Sequence, residues 1–298
     1  MQFSLTDLQK EIQENAKKLL SERVDLLDLI KKIDDNTRID NELWKLVSEQ
    51  GWLGLDITEE DGGLGFSKVD SSILSEVFGY YIPIVPLFSS GVVFKQLLLH
   101  SPPELKSKIL PEIISGKKIG TFCIYENDKY EINDQNITTV LSKNDKGYVL
   151  NGKKSYVMFG DSSDYFAILA KSDKGFKFVM VDRDTPGITV TETTSLDQTR
   201  PMAEIKLEEA EVSEENFMFD LEDDKNTWNK VKHLSLSFLS MEQVGGAQAC
   251  LDMSTKYAKE RIQFGRPIGS FQAIQHMCAD MLLQIESAKS IAYSSVRV

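Results

Sequence analysis

Leu5, Leu8, Ile12, Ala16 and Leu19 recur at spacings of three and four, which lays an apolar stripe along one face of a first helix. Leu43, Leu46 and Val47 repeat the pattern in a second helix, with Asp40 or Asn41 placed to cap it. Further helical runs cover 69–78, 89–100 and 103–114, the last closing on Ser115-Gly116-Lys117-Lys118, a C-cap with favourably placed cations. At Thr121 the period changes from helical to alternating. Short β-rich runs at 138–140, 147–150, 156–158, 165–170 and 176–181 are separated by Asn144-Asp145-Lys146-Gly147, Asn151-Gly152 and Asp173-Lys174-Gly175. Asn151-Gly152 is a strong hairpin signal, because both central residues of such a turn need positive φ. From about Trp228 the helical period returns, giving helices over 243–261 and 271–293. Between them, Gly265 and Pro267 predict a helix stop and Ser270 the N-cap of the next helix.

The expected architecture is α+β: an N-terminal α-helical domain over 1–120, a middle antiparallel β-barrel or sandwich over 121–222, and a C-terminal helical bundle over 223–298. Asp220 to Lys225 reads as a charged linker.

Composition narrows the function classes. A net charge of −12, from 34 basic against 46 acidic residues and no basic tract, disfavours nucleic acid as a partner. No apolar run reaches the length of a membrane span, and the N-terminal residues carry neither a signal nor a transit pattern, so a cytoplasmic protein is expected. Cys123, Cys250 and Cys278 have no paired or metal-like spacing, so they read as reduced thiols and no metal site is expected. The Gly62-Gly63-Leu64-Gly65 loop lacks both a preceding strand and a following Lys-Ser/Thr, so it reads as a structural turn rather than a phosphate cradle.

The segment from Tyr257 to Gln275 carries the most specific pattern in the chain, with Arg261, Phe264-Gly265, Ile268 and Phe271-Gln272 at fixed intervals. Together with Gln50-Gly51-Trp52-Leu53-Gly54-Leu55, the Gly-rich loop and Ser115-Gly116, met in the same order, it resembles the acyl-CoA dehydrogenase family over nearly the whole chain. Taken alone, the segment is also compatible with a helical hairpin whose Arg is solvated and whose Phe is core. The resemblance implies FAD as cofactor, with Arg261, Phe264 and Gln272 gripping a dinucleotide bound mainly by a neighbouring subunit. It implies α,β-dehydrogenation of an acyl-CoA thioester with hydride transfer to FAD, a homo- or hetero-oligomer, and electron-transfer flavoprotein as acceptor if the chain is active. It also implies a four-helix core in the C-terminal bundle, which two helices cannot bury, so that bundle reads as partial and association with another chain is expected.

The family's flavin-facing strand falls on Phe122-Cys123-Ile124-Tyr125-Glu126-Asn127, with Phe122 and Ile124 as apolar contacts and Tyr125 where the family has a hydroxyl-bearing Thr. The Gly-Ser-Asp that follows in the family is replaced by Asp128-Lys129-Tyr130-Glu131. The second flavin strand falls on residues 152–160, with Tyr156 where Trp stacks on the ring and Met158 where Thr donates a hydrogen bond. These residues are equally readable as ordinary strand side chains. Most members carry their catalytic Glu beyond residue 298; a minority carry it where this chain has Ser235, beside Leu236 in place of a substrate-contacting Arg. Glu242, seven residues on and thus on the same helix face, is the nearest carboxylate. The alternative function implied is a catalytically inactive partner subunit that helps bind FAD across an interface.

Overall fold

The computed structural model describes residues 5–127, 131–133, 135–145, 147–221 and 225–297. Along the chain come α1 (Asp7–Arg23), α2 (Leu26–Asp34), α3 (Asn41–Glu49), α4 (Lys68–Tyr81), a π-helical turn (Leu87–Phe94) running into α5 (Lys95–Leu99), and α6 (Pro103–Ile114). The strands are β1 (Gly120–Cys123), β2 (Val140–Asn144), β3 (Gly147–Met158), β4 (Tyr165–Ser172), β5 (Gly175–Asp182), β6 (Ile188–Thr193), β7 (Met202–Val212) and β8 (Phe217–Asp220). A long α7 (Lys225–Glu260), a ribbon of β9 (Ile262–Gln263) and β10 (Arg266–Pro267), and α8 (Gln272–Val296) complete it. Helices, a sheet domain, then helices again make an α+β fold. The contacts divide it into two compact units.

The larger unit holds Leu29–Gly65 and Ile84–Ser235. Its sheet has the order β6-β7-β3-β2-β4-β5-β8, with β1 beside β4. Most pairings are antiparallel, as the alternating pattern predicts, but β1 runs parallel to β4, and β2 meets β4 in parallel at Val140↔Lys171. Strand β4 buries both faces. Phe166, Ile168 and Ala170 meet Leu150, Val157, Ile205 and Leu207 of the sheet curling over them. Ala167 and Leu169 on the other face join Leu97, Ile109 and Ile113 of the helical layer. The buried Lys95 side chain is held 2.5 Å from Asp56 and donates to the Leu53 carbonyl.

Asn151-Gly152 is not a hairpin turn. β3 runs unbroken through it, the β2–β3 turn lies between Asn144 and Gly147, and the dipeptide sits where the β3–β7 register shifts. Asn151 bonds across the bulge to the amide and carboxylate of Glu209. A Cβ at Gly152 would lie 2.5 Å from Thr139 Oγ1, so close approach, not turn formation, is what the glycine serves there.

The smaller unit holds residues 5–28, Phe66–Pro83 and Leu236 onward. Thr6 caps α1 in a reciprocal capping box with Gln9, and Ser67 does the same for α4 with Asp70. The α1 stripe buries Ile12, Ala16 and Leu20, while Leu8 is exposed. α4 lies against α7 and α8, and nearly every residue from Asp70 to Gly79 is buried. No helix of the described residues is long and apolar enough to cross a membrane. Among them all three cysteines are free, Cys123 buried and Cys250 exposed.

Candidate flavin site

Two groups of predicted residues are brought together, one in each unit. In the larger unit β1 is anchored at Gly120, whose amide donates to Ser90 Oγ at 3.1 Å and where a Cβ would meet the Phe94 ring at 2.1 Å. The chain beyond β1 then runs beside β3. Ser155 N donates to the Tyr125 carbonyl at 2.9 Å, and Thr121 Oγ1 donates to the Met158 carbonyl at 2.7 Å. Phe122, Ile124 and Tyr125 therefore lie on a segment beside the one that carries Tyr156 and Met158.

The side chains are less uniform. Phe122, Ile124 and Tyr125 pack against the core beneath the sheet, Phe122 edge-on to Phe88. Met158 packs against the cluster of Leu29, Ile84 and Phe159. Tyr156 lies where the β3–β7 register shifts again, with φ +56°, and the residue is 45 % exposed. An aromatic held in the left-handed region and turned outward fits a stacking role against a planar ring. Met158 does not fit the hydrogen-bonding role, since a thioether is only a weak acceptor. The loop in place of Gly-Ser-Asp lies partly outside the described residues, at 128–130.

Behind this surface sits an ion pair that motif matching passed over. Lys154 Nζ lies 2.6 Å from Glu126 Oε1 and donates to the Ile124 carbonyl, both side chains at most 1 % exposed. Glu126 also accepts from Thr138 N and Oγ1, each at 2.6 Å, and from Thr139 N. Burial alone would raise the Glu126 pKa, but Lys154 and these donors outweigh it and hold the carboxyl below the usual range. The signal was present: one motif contributes an acid, the other a base, and adjacent strands must neutralise them if buried.

In the smaller unit the predicted hairpin is tighter than a plain loop. α7 ends at Glu260, one residue short of the expected 261, and the stretch carrying the Gly265 and Pro267 stop signals, 262–267, pairs as a two-stranded ribbon with Arg266 opposite Gln263. Phe264 (φ +53°) and Gly265 (φ +76°) make its tip. Ser270 is not the N-cap: its hydroxyl donates to the Pro267 carbonyl, and Phe271 takes the cap position with no side-chain bond. Arg261 and Gln272 are exposed, and Phe264 is 91 % exposed. Phe264 is therefore not a core residue of this chain. A guanidinium, a ring and an amide, all exposed within this one hairpin, suit a pyrophosphate and a flat base.

The base positions are closed. Ser235 is buried and its hydroxyl donates to the Val231 carbonyl at 2.7 Å, one turn back in α7. Leu236 is exposed. Glu242 is half-buried at the crossing of α7 with α4, where its backbone carbonyl faces Gly79.

Comparison with known proteins agrees with this layout. The acyl-CoA dehydrogenase N-terminal, middle and C-terminal domains match residues 6–117, 122–210 and 238–298. The mitochondrial isovaleryl-CoA dehydrogenase of Oryza sativa subsp. japonica is 30 % identical, over 98 % of this chain and 73 % of its own. Subunit CarC of the caffeyl-CoA reductase-Etf complex of Acetobacterium woodii is 28 % identical, over 90 % of this chain and 73 % of its own. The structure of a glutaryl-coenzyme A dehydrogenase–glutaryl-CoA complex superposes with a TM-score of 0.92 at 26 % identity, over 99 % of this chain and 78 % of that one. With sequence, fold and motif order in agreement, the chain belongs to the acyl-CoA dehydrogenase family.

Proposed function

We propose that this chain is an FAD-binding subunit of an assembly that performs α,β-dehydrogenation of an acyl-CoA thioester, and that it contributes cofactor grip rather than the catalytic base. One contrast carries the reading: the Arg261–Phe264 lip is displayed to solvent, while Ser235, at the base position, is buried and bonded to its own helix. The flavin, when bound, supplies the electron acceptance. Arg261, Phe264 and Gln272 hold the dinucleotide end, and Tyr156 presents its ring to the isoalloxazine beside Tyr125. Removal of the substrate α-proton needs a carboxylate within hydrogen-bond reach, and Ser235 and Leu236 offer none. The base is therefore a group other than these two. A second, electron-accepting flavoprotein is the partner class proposed, a reading supported by the relative named as a subunit of a reductase–Etf complex.

The test is spectroscopic. The chain purified alone should carry little flavin and should fail to bleach added FAD when given an acyl-CoA under anaerobic conditions. Co-purified with its assembly partner it should be yellow, and Arg261→Ala should lower the retained flavin at least tenfold, as expected for loss of a charge-assisted phosphate contact. Bleaching by the isolated chain would overturn the reading that this chain contributes cofactor grip without the base.

A further inference from the structure

We propose that Arg266 and Phe271 form a prop that sets the cofactor-gripping tip, making Arg266 a positioning residue rather than a direct anion ligand; this rests on the flavin reading above. The Arg266 guanidinium carbon lies 4.2 Å from the centroid of the Phe271 ring. Phe271 in turn meets Phe264 edge-to-face, with centroids 6.1 Å apart and planes at 85°. The three groups make one continuous stack, guanidinium on ring face and ring edge against ring, a geometry in which each contact is attractive.

The stack lies where the backbone needs it. Phe264 holds φ +53°, a region an aromatic residue occupies only at a cost of order 1 kcal/mol, and it is followed by Gly265 at φ +76°. The ribbon beneath it has only two residues per strand. Its base is fixed by Ile268 N donating to the Arg261 carbonyl at 2.8 Å and Gln275 Nε2 donating to the Gly269 carbonyl at 2.9 Å. Gly269 itself approaches the end of α7 closely, since a Cβ there would lie 2.9 Å from the Ala258 carbonyl oxygen. The base is thus held through the backbone and one side-chain amide, whereas the stack engages the tip through aromatic and guanidinium side chains alone. Arg266 has its guanidinium over the Phe271 ring, and the tip then displays Phe264 in a fixed direction beside Arg261. Pre-organisation of this kind improves affinity by removing an ordering cost rather than by adding a contact.

The experiment is a double-mutant cycle on the full chain with its assembly partner, using Arg266→Met, Phe271→Leu and both together. FAD affinity is read by flavin fluorescence. Amide hydrogen exchange at Phe264 and Gly265 is read without flavin. Each single variant should weaken FAD binding about three- to fivefold, the value of an exposed cation–π contact. The double variant should be no weaker than the worse single one, and Phe271→Trp, which keeps a face for the guanidinium, should retain affinity. Exchange at the tip should quicken in both single variants while the thermal midpoint of the whole chain stays put. An Arg266→Met loss of equal size in the Phe271→Leu background would mean that Arg266 touches the anion itself, and unchanged exchange at the tip would also overturn the prop. If the wild-type assembly takes up no FAD, the flavin reading fails, and the exchange comparison still decides the stack.

Discussion

Lys154→Met should destabilise the protein by about 3–5 kcal/mol, the usual cost of stranding one member of a buried ion pair. The ammonium is the sole cation contacting Glu126 among the described residues, and it lies in a strand with no access to water. Without it the carboxylate keeps its bonds from Thr138 and Thr139, which satisfy lone pairs but leave the charge in an apolar surround. Adding Glu126→Gln to Lys154→Met should recover part of the loss, because the charge goes with its partner.

The pH dependence has a definite sign. In the wild type the folded Glu126 pKa lies below the unfolded one. Its contribution is therefore present in full above the unfolded value of about 4.3 and is lost as pH falls through the lower folded value. In Lys154→Met the cation that lowered the pKa is gone, so burial raises it, and protonation relieves the penalty as the solution is acidified. The gap between wild type and Lys154→Met, read from urea midpoints, should be widest near neutral pH and should narrow below about pH 5. A gap that stayed constant to pH 4 would show that lost packing, rather than stranded charge, sets the cost.

Much of the fold was legible because periodicity reports which face is buried. The helix over 103–114 matches α6, and the onset of alternation at Thr121 falls within β1. What was not legible is backbone geometry fixed by distant neighbours. Asn151-Gly152 carries a turn's residues, yet Thr139 and Glu209 hold it in a strand, and nothing nearby in sequence says so. The ribbon that follows α7 was hidden for a related reason: 262–267 satisfy their backbone groups across two short strands, a pairing that no local signal announces. In the site, adjacency of the two strand motifs was an expectation of the family resemblance, not of the residues' own pattern. The outward turn of Tyr156 was not legible either, since it depends on a register shift against β7. That Ser235, at the position the resemblance assigns to the base, lacks a carboxylate was readable from its identity alone.

Gly245→Ala should cost about 3 kcal/mol, the upper end of what overpacking a tight contact produces, even though alanine is the better helix former. Gly245 and Gly246 stand in the middle of α7, where each glycine carries a propensity penalty of about 1 kcal/mol. The crossing with α4 accounts for one of them. A Cβ on Gly245 would lie 1.8 Å from the Glu76 carbonyl oxygen and 2.9 Å from the Tyr80 amide nitrogen. The contact is reciprocal, since a Cβ on Gly79 would lie 1.8 Å from the Glu242 carbonyl oxygen. Two backbones in direct contact cannot yield as a side chain can, so α4 and α7 must separate. That separation would disturb Glu76, which holds α8 through Lys289 at 2.6 Å and Tyr293 at 2.7 Å. Gly246 provides the control: its Cβ would sit 3.4 Å from the Gly79 carbonyl oxygen, an ordinary contact. Gly246→Ala should therefore be neutral or stabilising by up to about 1 kcal/mol, as propensity alone dictates. The comparison is made by thermal and urea denaturation of the two single variants, which differ by one position and by no atoms. Equal effects at 245 and 246 would mean that the close crossing of α4 and α7 does not decide stability here, and that α8 with its hairpin is held by other means.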